Sequence, residues 1–166
     1  MNATDFAALF KESDNRPIEW EGHWLYPFLS LHVSRGDFLD ISILRSAKAP
    51  IQGLSLSATS RKVELETNGT SGRSFALWSD TAPKHTRVKV LRPVRSSAEI
   101  MIRNIWRDEK YGATMYALNA AAIQIDQQGD NEWVLRCSDG WGTPDFNDLI
   151  VLVRHVRSAL SEARAV

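Results

Sequence analysis

The chain holds a single cysteine, Cys137, which excludes an internal disulfide and any metal site built on several thiolates. It has no surplus charge of either sign, because Lys and Arg total 20 and Asp and Glu total 20. A balanced chain lacks the electrostatic footprint that a phosphate backbone selects, so nucleic acid is set aside as a partner. No stretch approaches the roughly 18 apolar residues that a spanning helix needs, which sets the membrane aside as well. The start, Met1-Asn2-Ala3-Thr4-Asp5-Phe6, has neither a basic end nor an apolar run. No signal peptide is legible there, and the cytoplasm is the expected location; release by a route without an N-terminal signal is compatible with the same residues. Catalytic signatures are missing too. There is no Gly-x-Ser-x-Gly elbow and no glycine-rich phosphate loop, and His23, His32, His85 and His155 are scattered with no pair at helical spacing. Of the classes considered, an enzyme has the least support.

What is present is the pattern of a β protein. A chain of 166 residues, 43% of them hydrophobic, is long enough to bury its own core as one domain, taken as residues 1–166. Leu29, Leu31 and Val33 alternate with Ser30 and His32; after Arg35-Gly36-Asp37, Leu39, Ile41 and Ile43 alternate with Asp40 and Ser42. These two runs are expected to form an opening hairpin. Leu54, Leu56 and Ala58 alternate with Ser55 and Ser57, and Val63 and Leu65 with Lys62, Glu64 and Glu66. Further strands are expected at 75–78, 87–91, 99–106, 114–118, 121–125, 133–137 and 149–153, with residues 68–72 a loop and Gly129-Asp130-Asn131 a hairpin turn. Short strands broken by turn residues predict an all-β fold, a single jelly-roll-like β-sandwich of about ten or eleven strands. Its core should hold Leu31, Ile41, Leu56, Val90, Ile102, Ile123, Leu135 and Val151. The unbroken apolar run at 149–153 suggests a strand covered on both faces. Helical period appears only at the ends. Residues 1–27 read as a short helix over 4–11, with Phe6, Leu9 and Phe10 on one face and Asp5 in its first turn, then an irregular lead-in; residues 154–166 read as a short helix or loose tail.

Two groups of residues could carry function. The first is the loop 139–148, where Asp139, Asp145, Asn147 and Asp148 stand close together on a glycine-relaxed segment. A hard cation such as calcium takes six to eight oxygens of this kind. The same residues have a simpler use, in which Asp145 and Asn147 make Asx turns and Asp148 accepts backbone amides. Asp145-Phe146-Asn147-Asp148-Leu149-Ile150, placed before an apolar strand, resembles the C-terminal motif of a domain of unknown function found in bacterial secreted and adhesin-like proteins. That resemblance implies a β-sandwich and a calcium site using Asp145, Asn147 and Asp148. Trp78-Ser79-Asp80-Thr81-Ala82-Pro83-Lys84, Asn104-Ile105-Trp106-Arg107-Asp108 and Cys137-Ser138-Asp139-Gly140 together resemble the pattern of uncharacterised bacterial proteins.

The second group is aromatic. Trp141 lies between two glycines on the acidic loop, and Trp78 ends a strand just before Asp80. An indole beside carboxylates offers a flat face for a sugar ring and acceptors for its hydroxyls, so Trp141, Trp78 and Asp80 are the candidate ligand-binding residues. Trp106 and Trp133 alternate in phase with core residues and are assigned to the interior, and Cys137 to the core as a small hydrophobe. The sequence thus leads to a non-enzymatic module that binds a glycan or small ligand, with calcium in the 139–148 loop as its one candidate cofactor. The alternative is a structural or assembly protein acting through protein contacts.

Overall fold

Alternating segments become strands in the computed structural model, which describes residues 4–158. One helix, α1 (Phe6–Glu12), precedes fourteen strands. These are β1 (Ile18–Trp20), β2 (His23–Leu25), β3 (Leu29–Val33), β4 (Phe38–Ser46), β5 (Gln52–Ala58), β6 (Glu64–Thr67) and β7 (Thr70–Gly72). They continue as β8 (Ser74–Trp78), β9 (His85–Arg92), β10 (Ala98–Arg107), β11 (Thr114–Met115), β12 (Ala122–Gly129), β13 (Glu132–Ser138) and β14 (Leu149–Val156).

Strands β3 to β10 form two antiparallel sheets of four, in the orders β3-β10-β5-β8 and β4-β9-β6-β7. The chain changes sheet at every connection in this stretch except β6 to β7, which is the path of an eight-stranded jelly roll. The all-β sandwich expected from the sequence is therefore the fold. Strand β11 joins the first sheet beside the end of β10, while β14, β13 and β12 extend the second beyond β4. The result is a smaller sheet of five strands packed on a larger one of seven, with β1 and β2 paired separately. All eight residues expected in the core lie between the sheets in one buried cluster.

The strand count exceeds ten or eleven because three short strands were hidden in segments read as irregular. Glu21 and Gly22, with φ of 48° and 79°, make a two-residue turn that closes β1 on β2 inside the lead-in. Asn68 and Gly69, at 51° and 77°, do the same for β6 and β7, so residues 70–72 are strand rather than loop. The hairpin expected of β3 and β4 does not form. Strand β3 pairs with β10 and β4 with β14 and β9, so the turn between them carries the chain across the sandwich. Alternation fixes which face of a strand is buried but not which strand lies beside it. The buried Asp37 holds this corner, its carboxylate accepting from Ser34 N (3.0 Å), His155 Nε2 (2.8 Å) and Ser158 N (2.9 Å).

The ends also differ in detail from expectation. Asp5 is the N-cap of α1, accepting from Ala8 N at 3.0 Å, rather than a first-turn residue. Phe6 and Phe10 dock on Leu25, Ala120 and Ala122, whereas Leu9 stays exposed on the helix flank. Strand β14 buries Leu149, Val151, Val153 and His155 on one face only, with Ile150 and Leu152 half-buried on the other, so it is not covered on both. It continues through residues 154–156, where a helix or tail was expected; the part of that expectation beyond Ser158 lies outside the described residues. Among the described residues no helix is long and apolar enough to cross a membrane.

Candidate functional site

The acidic loop joins β13 to β14 and is held by the protein's own donors. Asp139 is buried, and its carboxylate accepts from Gln52 Nε2 and from Trp141 N, both at 2.8 Å. Asp148 accepts from Asp139 N at 3.1 Å, and Asp145 accepts from Asn147 N at 2.9 Å in an Asx turn. Ser138 Oγ accepts from Asp145 N at 3.1 Å. The Gln52–Asp139 bond ties the smaller sheet to this loop, and Gly140 lets the Trp106 indole pass beneath, since a Cβ there would come within 2.6 Å of the ring. Burial pushes the Asp148 carboxyl up to about 6; the Asp139 amide works against that, and the charges of Asp139 and Asp145 add to it. Among the described residues no three His, Cys, Asp or Glu side chains are gathered so as to hold a metal ion. Of the residues expected to hold calcium, Asp139, Asp145 and Asp148 each accept from donors of the protein itself, Gln52 Nε2 and the amides of Trp141, Asn147 and Asp139.

The expected aromatic residues fall into different settings. Trp141 is 73% exposed on the acidic loop. Trp78 is half-buried on the outer face of the smaller sheet, lying over Gly53, where an added Cβ would meet its ring at 2.7 Å. The Arg107 guanidinium stacks on the same indole, 4.4 Å from its centroid, and pairs with Asp80 at 3.1 Å. Trp78, Arg107 and Asp80 thus form one closed group, and Asp80 has its charge met by Arg107. Trp106 is buried, Trp133 packs against the core, and Cys137 is buried with its thiol pKa raised first by that burial.

Each sheet has a depression on its outer face. The one on the larger sheet, about 440 Å³, spans β14, β4 and β9. Its charged groups are paired. Arg87 binds Asp40 through two bonds, at 2.7 and 2.8 Å, which hold the Asp40 carboxyl below its ordinary value. Arg154 reaches Glu132 at 3.0 Å, and Ser42 Oγ lies 2.8 Å from His85 Nδ1. Ser42 sits in mid-strand between β14 and β9, where the backbone amides belong to the ladder and make no oxyanion hole.

The depression on the smaller sheet, about 380 Å³, is different in kind. It is floored by outward residues of β5, β10 and β8 and walled by Thr114 and Tyr116. Ser55, Ser57, Ser74, Thr114 and Tyr116 bring five hydroxyls to it, and none makes a hydrogen bond with another described residue. Arg103 is its one charged group. Strand β3 pairs with Ala98–Ile102 of β10 and β11 with Trp106 and Arg107, so residues 103–105 have no strand partner on that edge. Arg103 stands in this notch between Phe28 and Tyr116, its guanidinium carbon 5.5 and 5.3 Å from the two ring centroids.

No family model matches the chain, and no curated protein or solved structure matches it either. The smaller-sheet face was not singled out from the sequence, although Ser55 and Ser57 alternate there with Leu54, Leu56 and Ala58. That alternation was the available signal, and it placed the serines on an outer face without saying what stood beside them.

Proposed function

We propose that this protein is a binding module that takes a hydroxyl-rich ligand, a glycan or a small polyol-like molecule, on the outer face of its smaller sheet. One observation carries the reading: five hydroxyls without partners among the described residues line one concave surface beside the ring of Tyr116. A saccharide needs that combination, because its hydroxyls exchange donors and acceptors with serine and threonine while its C–H face rests on an aromatic ring. The floor is built on strands of a packed sheet, so it is preformed and little ordering opposes binding. Trp78, with Arg107 on its ring and Asp80 beside it, borders the same sheet face and extends it along β8. The test is a glycan array followed by calorimetric titration of the best binder. Tyr116→Ala and Ser57→Val should each lower affinity at least tenfold with unchanged melting temperature, whereas Trp141→Ala should not. Retention of affinity in both face variants would reject the reading.

A second reading, an assembly protein, draws on Trp141 and Trp24, which are 73% and 58% exposed. Exposed indoles of this size are enriched at protein interfaces. Sedimentation that shows self-association, abolished by Trp141→Ala or Trp24→Ala, would favour it.

A further inference from the structure

We propose that the ligand of this face is an acidic saccharide and that Arg103, in the notch between β3 and β11, receives its carboxylate. This rests on the smaller-sheet face being the saccharide site, and it names the chemistry that face selects.

Among the described residues three arginines are half-buried: Arg103, Arg107 and Arg136. Arg107 pairs with Asp80 at 3.1 Å and Arg136 with Asp126 at 3.1 Å. Arg103 makes no ion pair or hydrogen bond with any described residue. Its neighbours are rings, which attract a cation but accept none of its N–H bonds well, so the five donors of the guanidinium fork are unmet among the described residues. Burial disfavours its charged form, yet arginine's ordinary pKa is high enough that the group stays protonated at neutral pH. A half-buried cation with no acceptor among the described residues depends on water alone, and the partner that serves it better is a planar carboxylate able to take two parallel bonds.

The surroundings say from which side such a group arrives. A second depression of about 300 Å³ lies on the α1 side of the notch, and there Arg103 shares the lining with Lys11 and with the acidic Asp14. On the hydroxyl side no acidic residue lines the surface. An anion approaching from that side meets attraction without repulsion, and the hydroxyls take the rest of the ring. Phe28 and Tyr116 flank the guanidinium and limit its rotation, so its fork is held for bidentate contact.

The experiment is a calorimetric titration with a panel of uronic-acid oligosaccharides, each beside its methyl ester, which keeps shape and hydroxyls but removes the charge. The expected result is that at least one acid binds tenfold or more tighter than its ester. Arg103→Gln should bring the acid to the affinity of the ester and leave the ester within twofold, and Arg103→Lys should restore part of the difference. The circular dichroism and melting curves of both variants should match the parent. Equal binding of acid and ester, unchanged by Arg103→Gln, would overturn this inference and leave the saccharide site standing. Absence of binding by acid and ester alike would overturn both.

Discussion

The two outer faces of the sandwich are built from the same kinds of strand, carry depressions of similar size, and finish their polar groups in opposite ways. On the larger sheet the register sets Arg87 directly across from Asp40, and Arg154 across from Glu132. On the smaller sheet the register sets Arg103 across from Ser55. The depression on the first face has its cations matched without a ligand, because Arg87 and Arg154 each meet an acid on the neighbouring strand. The second has donors and hydroxyls with no partner among the described residues. Cross-strand pairs are therefore informative about function when they are missing: a strand arginine opposite a serine, flanked by rings, is a group whose partner has to come from outside. The larger depression is the less promising site for this reason.

The most severe way to break the comparison is to remove the core that both faces share. Val151 is fully buried between the sheets, so Val151→Asp should place an unpaired charge there and cost several kcal/mol, a large part of the roughly 5–15 kcal/mol of a typical domain. Circular dichroism should show the fold lost at ordinary temperature; a variant that melts with the parent would mean that β14 is misplaced.

A smaller effect belongs to the acidic loop between β13 and β14. The Asp148 carboxyl is raised to about 6 from 3.8, so the folded protein holds that proton more tightly than the unfolded chain does. Stability from this group is then greatest below about pH 4 and declines as pH rises through about 4 to 6. With solvent screening of a half-exposed group, the decline is on the order of 1 kcal/mol. Asp148→Asn keeps an acceptor for the Asp139 amide and should flatten this part of the stability curve in urea titrations at stepped pH. An unaltered slope would place the proton elsewhere.

Smaller again is the stability effect of Arg103 itself. Arg103→Met removes a half-desolvated cation and keeps a chain of similar bulk between the rings, so it should leave stability unchanged or raise it by up to about 1 kcal/mol. A drop in melting temperature would show that the guanidinium has a structural partner after all. The least effect is expected of calcium. Because backbone amides and Gln52 hold the acidic loop, melting curves in calcium and in chelator should overlap, and a rise of several degrees in calcium would contradict this.

How much of this the sequence reveals depends on whether a property is set by one strand or by two. Burial is set by one. Leu54, Leu56 and Ala58 against Ser55 and Ser57 show the core side and the solvent side directly, which is why all eight expected core residues are buried. Pairing is set by two strands far apart in the chain, and nothing in Leu29–Val33 says that β10 lies beside it. The same gap hides the candidate site. Arg103 lies close in sequence to Glu99 and Asp108, and its setting emerges only from the register with Ser55 and from the break between β3 and β11. The acidic loop shows the opposite case. Its residues are legible as Asx-turn formers, but which donor each carboxylate meets is a matter of backbone path, and here Asp139, Asp145 and Asp148 accept from Gln52 and from backbone amides.

The most direct test of the central claim is a titration of the isotopically labelled protein with the tightest acidic oligosaccharide, followed by amide chemical shifts. The account predicts that shifts concentrate at Ser55, Ser57, Arg103 and Tyr116, while Ser42, His85, Arg87 and Arg154 on the opposite face stay still. Shifts centred on the larger sheet, or none on either face at millimolar ligand, would contradict it.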